Sequence, residues 1–203
     1  MGTSGSLQAP QRASSPLPWG EAVPGLRRQR ALSQSISEGD GIAIIACVED
    51  AGAARDAEAQ GAKALAVTRA IDGIRAATRL PLLWIGDGPW GDVDAVALRL
   101  EQIDEGDGPE AVIEVRDEEE LSHVLEHLDP EIFLLAARGD DSVDPLDAVL
   151  ELLPDVPAGK LAIARVDAPS RDEVLALERA GIDAVLIAGG RIADLVGHRP
   201  FEV

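Results

Sequence analysis

The sequence predicts an α/β fold in which parallel strands alternate with helices. Three observations carry this. The first is Glu110–Arg138, which reads as a buried strand, an acid-capped helix and a second buried strand. Val112, Ile113 and Val115 supply the first strand. Asp117 caps the helix, with Glu118, Glu119 and Glu120 in its positive first turn. Leu121, Val124, Leu125 and Leu128 share one helical face, and Ile132–Leu135 form the second strand. The strands of such a βαβ unit run parallel. The second observation is that this rhythm continues from Gly41 onward. The third is a repeated phrase: GAKALAV at Gly61–Val67, GDVDAVAL at Gly91–Leu98 and GIDAVLI at Gly181–Ile187. Each has a helix-ending or turn glycine, a short polar lead and an apolar strand. Eight such strands favour a closed, TIM-like (β/α)8 barrel over an open doubly wound sheet. An open sheet commonly has fewer strands and a phosphate loop after strand one; here EDAGAARD follows, without GxGxxG or GK[ST].

Residues 1–40 stand apart as an N-terminal tail. Ser, Gly, Pro and Gln dominate Met1–Pro24, which reads as mobile, and a basic island, Leu26–Arg30, precedes a short docking helix. Trp19 is an isolated aromatic that reads as exposed rather than as an anchor. Residues 41–203 form the trimmed barrel. Ile42–Glu49 is strand one, and Gly61 ends the Ala-rich helix Asp50–Ala62. Ala64–Arg69 is strand two, Ile71–Arg79 a short helix and Pro81–Ile85 strand three. Ala95–Glu101 reads as strand four, with only the loop Gln102–Pro109 before strand five at Ala111–Arg116. Asp144 caps a helix with Pro145 in its first turn, running to Leu153. Leu161–Val166 is strand seven. Ser170 and Glu173 make a capping box for the helix ending at Gly181. Ala184–Ala188 is strand eight, and Gly189–Gly190 precede a short helix, Ile192–Val196. The helices after strands three, four and eight are therefore shortened.

Composition narrows the function classes. The chain has 203 residues, enough for one well-buried domain. With 2% aromatics and no Tyr, the core must be built from Ala, Val, Leu and Ile. A net charge of −19 argues against general binding to nucleic acid or to an anionic membrane surface. Acidity of this kind fits a salty habitat or a GC-rich genome equally. The one cysteine, Cys47, excludes an internal disulfide. No stretch is apolar enough to span a bilayer, no secretory signal is visible, and a cytoplasmic location follows by default.

Between Gly41 and Arg191 the chain resembles indole-3-glycerol phosphate synthase. EVRDEEEL is similar to that family's strand-five phrase EVHDEEEL, RAATRLPLLW to its lead into strand three, and ERAGIDAVLIAGG to its strand-eight ending. The resemblance implies a barrel enzyme of tryptophan synthesis, a lyase, with Glu114 in the place of the general base. Arg138 keeps the strand-six arginine, while Ala136 and Ala137 replace its amides. The remaining positions depart. IAEIK becomes IACVE, with Cys47 and Glu49; the catalytic Lys of strand three aligns with Ile85; and Arg165 stands where strand seven would carry Glu. The loops after strands one and two, which cover substrate in that family, are cut away. Ring closure with loss of CO2 and water needs a general acid. The only lysines, Lys63 and Lys160, precede strands two and seven, at the amino-terminal face of the barrel.

By strand alternation Glu49, Arg99, Glu101, Glu114, Arg116, Arg138 and Arg165 point inward near the barrel mouth. Four arginines can clamp a phosphate or carboxylate. The plainer alternative, which we place slightly ahead, is a charge network that neutralises itself. Gly189, Gly190 and Arg191 suit a phosphate by their position after strand eight, although a plain turn needs glycine as well. His123 and His127 are read as a solvated face, not a metal site, Cys47 as an inert thiol, and His198 as exposed. No metal and no cofactor are expected. The leading expectation is a barrel that has lost the synthase reaction and works by binding or assembly, as a pseudoenzyme. Its partners are a phosphorylated small molecule and a second copy or another protein, because shortened helices would leave apolar strand faces bare. A second expectation is an altered lyase or isomerase on a small phosphorylated metabolite, with Glu114 as base. A third places the activity in a recruitment segment within residues 1–40.

Overall fold

The structure is a computed structural model and describes residues 30–103, 108–137, 144–188 and 192–195. Eight strands close a barrel in sequence order. They are β1 (Ala43–Cys47), β2 (Ala64–Val67), β3 (Leu82–Trp84), β4 (Ala95–Leu98), β5 (Glu110–Val115), β6 (Ile132–Leu135), β7 (Leu161–Val166) and β8 (Ala184–Ile187). Every neighbouring pair is parallel, and Ala43 opposite Ala184 closes the ring. The helices are α1 (Ala31–Ser37), α2 (Ala51–Ala59), α3 (Ile74–Ala77), α4 (Glu118–His127), α5 (Pro145–Leu152), α6 (Arg171–Ala180) and α7 (Ile192–Leu195). Helices after β3 and β4 are missing or reduced, as expected. A loop leads from β3 to β4, and a single 3-10 turn, Leu100–Gln102, follows β4. That turn corrects the predicted strand four: β4 stops at Leu98, because Gln102 bonds back to Arg99 through both backbone and side chain.

Local chemistry sets the helix starts. Asp50, Asp117 and Asp144 each accept backbone N–H groups from the first turn of α2, α4 and α5. Ser170 and Glu173 form the reciprocal box that opens α6, and the bonds from Ser170 hold the Glu173 carboxyl below its ordinary value. A depressed carboxyl stabilises above its unfolded pKa, so this cap weakens only as pH falls through and below the usual carboxylate range. The sequence repeat also has a structural reason. Asp94 and Asp183, in the polar leads of two repeats, accept the backbone N–H groups of Leu82 and Ala162 at 2.9 and 2.8 Å. Each aspartate thereby ties the start of its strand to the start of a neighbour.

Alternate residues build two apolar layers. Ile44, Leu65, Trp84, Val96, Phe133 and Ile187 face outward, toward the helices. Ile45, Leu83, Val112, Leu134, Ile163 and Leu186 fill the interior. Near the amino-terminal end the interior positions are small: Ala43, Ala64, Ala95 and Ala184. The space they leave is taken by Leu32 and Ile36 of α1, both buried in the same cluster. No side chain of its own caps α1. Glu110, at the start of β5, supplies the anion instead, accepting from Leu32 N and Ser33 N at 3.1 and 3.3 Å.

The expectation of bare strand faces is corrected. Leu82, Trp84 and Val96 are buried, and Val93, Leu100 and Ile103 pack in the same outer cluster. The Trp84 indole donates to Gly86 O at 2.8 Å, which folds the β3–β4 loop back over the sheet. Among the described residues Trp90 is the large apolar side chain left exposed, at 43%. Loops replace the missing helices, so bare strands give no reason for a partner. No helix among the described residues is long and apolar enough to cross a membrane.

Candidate functional site

The carboxyl ends of parallel barrel strands form one face, where βα loops gather side chains from several strands. Alternation brings Cys47, Ile85, Ala97, Glu114 and Arg165 to the inner side of this mouth. Cys47, Ile85 and Ala97 pack against the interior layer and give the mouth an apolar floor. Arg165 is exposed and Glu114 half-buried. Neither makes a hydrogen bond or ion pair among the described residues. Arg138 and Gly189–Gly190–Arg191 lie outside the described residues, as do Trp19 and His198.

Two predicted mouth arginines are already engaged. Arg99 lies 3.6 Å from both Asp87 and Glu101. Arg116 pairs with Glu120 one helical turn ahead, and its backbone N–H donates to the same carboxylate. The hydrogen bond from the guanidinium to Glu120 raises the guanidinium pKa. Glu101 sits in the 3-10 turn and is exposed, so inward alternation does not reach it. Glu49 is exposed beyond β1, and its carbonyl accepts from Arg69. The ion pairs of Arg99 and Arg116 thus lie on the β4–β5 side, and Arg165 of β7 takes no part in them.

Next to the mouth lies a cavity of about 700 Å³, between the 3-10 turn, the end of β5 and the first turns of α4. It occupies the side where the helix after β4 is missing. Leu100 and Val124 are its apolar walls. Five carboxylates line it, Glu101, Glu114, Asp117, Glu119 and Glu120, against the guanidinium of Arg99. This flank repels anions. The sequence carried the residues but not the cavity, because its walls come from three separate elements. Any anion at the mouth is better placed outside this lining, at Arg165 on the β7–β1 side of the ring.

Cys47 belongs to that side. Burial pushes its thiol above the ordinary value, Arg165 opposes this, and Asp167 adds to it. Asp167 is the residue the sequence reading missed; its only signal was its place two residues after Arg165. A raised pKa keeps Cys47 protonated at neutral pH. Iodoacetamide should therefore modify the native protein much more slowly than the unfolded chain, with the rate climbing only above the usual thiol range. Equal rates, followed by mass spectrometry, would show that burial does not protect the thiol.

No protein-family model matches the sequence, and no curated protein matches it. Among solved structures the barrel is similar to the N-acetylmannosamine-6-phosphate 2-epimerase of Clostridium perfringens. The TM-score is 0.59 at 15% identity, over 73% of this chain and 87% of that one. At that identity the likeness is one of fold.

Proposed function

We propose that this chain is a degenerate barrel of the indole-3-glycerol phosphate synthase type, which has lost the parent reaction and binds a small phosphorylated metabolite at its mouth. The placement of the amines carries the reading. Lys63 directly precedes β2, and its carbonyl accepts from Ser35 of α1 under the barrel. Lys160 directly precedes β7 and bonds Asp129 at 2.5 Å. Both therefore sit at the amino-terminal face, a barrel height away from Glu114. Ile85, where the resemblance would place a catalytic Lys, is part of the apolar floor. With no Tyr in the chain, no ordinary ammonium or phenol acid stands beside Glu114.

The anion site is Arg165, completed in this reading by Arg138 and by Gly189, Gly190 and Arg191 after β8. An exposed arginine without a carboxylate partner among the described residues keeps its fork for a phosphate. The fold neighbour is an enzyme whose name specifies a sugar phosphate, which supports the ligand class. Thermal melts with phosphate esters test this. At about 100 times Kd, binding adds about 2.7 kcal/mol, or several degrees for a chain of this size. Arg165→Ala should abolish the shift. No shift in the parent protein, or an unchanged one in the variant, would remove the proposed site.

A second reading keeps catalysis, as an isomerase or lyase on a phosphorylated metabolite. The observation in its favour is Glu114: its carboxylate is half-buried at the inner side of the mouth and has no partner among the described residues. Glu114→Gln should then cost about 10²–10⁴-fold in turnover of a phosphosugar substrate. Unchanged turnover would leave the binding role alone.

A further inference from the structure

We propose that His123, Glu126 and His127 on α4 form a surface site for a borderline divalent transition metal, with Zn2+ as the model ion. The three side chains occupy positions i, i+3 and i+4, which a helix brings onto one face. One ligand atom from each lies within 4.8 Å of the other two. Closing that triangle around an ion, with bonds of about 2.0–2.2 Å, needs shifts of about 1 Å. All three side chains are exposed, so rotamer adjustment supplies them without disturbing the core.

The ring geometry adds a second reason. Nδ1 of His127 lies 2.8 Å from the backbone carbonyl of His123. The contact is a hydrogen bond only if Nδ1 carries the proton, and Nε2 then offers its lone pair outward. Metal-binding histidines are oriented in this way, with one nitrogen on the ion and the other donating to a carbonyl. The two rings lie 4.4 Å apart between centroids, tilted by 48° rather than stacked flat. Among the described residues Glu126 has no ion pair or hydrogen bond, and α4 carries no Lys or Arg to compete for it.

The donor set selects the ion. Two imidazoles and one carboxylate suit Zn2+, Ni2+, Co2+ or Cu2+ and not Mg2+, which demands oxygen ligands in an octahedron. Three protein ligands leave at least one coordination position free, as in zinc sites that work on a bound group. His123 also lines the 700 Å³ cavity. An ion held there would therefore lie beside the cavity. The carboxylates of that flank, which repel an anionic ligand, concentrate the cation.

Titration of the untagged full-length chain with ZnCl2, followed by calorimetry, tests the site. One equivalent should bind, and MgCl2 should not compete. His123→Ala and His127→Ala should each weaken binding at least about tenfold, the least that losing even a supporting group commonly costs. Glu126→Gln should weaken it in the same direction. These substitutions are on an exposed face, so circular dichroism should show an unchanged fold. His198→Ala should bind like the parent. Absence of binding to the parent, or binding that survives the double His123/His127 replacement, overturns the proposal.

Discussion

Leu32→Ala is expected to lower the unfolding free energy by about 2–5 kcal/mol, although Leu32 precedes the first barrel strand. Its side chain is 0% exposed and belongs to the interior cluster, against alanines that cannot close over the gap. Two terms add: the lost transfer of the leucine side chain from water, and the cavity left behind. Collapse is limited because the wall is a ring of eight bonded strands, whose backbones move little. Glu110→Ala acts on the same contact from the other side, by removing the anion at the start of α1. It should cost about 0.5–2 kcal/mol, the usual loss on removing a helix cap. Urea denaturation of both variants measures this. A Leu32→Ala cost below about 1 kcal/mol, typical of a surface site, would mean that α1 does not plug the barrel in solution.

Gly86→Ala should be the most damaging glycine replacement among the described residues. A Cβ at Gly86 would overlap the carbonyl oxygen of Thr68 and meet its carbonyl carbon at 3.0 Å. Both are backbone atoms at the end of β2, so relief requires moving the chain rather than rotating a side chain. Movement would also disturb the bond from the Trp84 indole to Gly86 O, and with it the loop that stands in for a missing helix. Overpacking of this kind costs about 1–3 kcal/mol, and the lost bond adds to it. Gly91→Ala, in the same loop, is the control, because nothing lies within 4 Å of its Cβ. It should fall between neutral and about 1 kcal/mol stabilising, through the less flexible unfolded chain. If both variants melt alike, close approach at Gly86 is not what holds the loop.

The order of elements was legible because the signals for it are local. Asp117, Asp144 and Ser170 cap the helices they were assigned to, and β6 and β7 keep their predicted bounds. Caps and two-residue alternation depend on neighbours in the chain, so a linear reading recovers them. The inward set was only partly legible. Glu114 and Arg165 follow from alternation, but alternation fails once a strand ends, which is why Glu101 leaves the set. The partner of Arg99 at Asp87 comes from a loop whose course no periodicity describes.

Strand–helix alternation, an Ala-rich and aromatic-poor core, and the confinement of both lysines to strand entrances are all written locally in the chain. Each of these is composition or local periodicity. The seat of α1 under the barrel, the loops that clothe β3 and β4, and the pairing of particular arginines with neighbouring carboxylates emerge only when the chain is folded. The physical reason is reach. Glu110 meets Leu32 across 78 residues of chain, and closing a ring of strands is what brings such pairs together. No pattern within a few residues can encode that meeting.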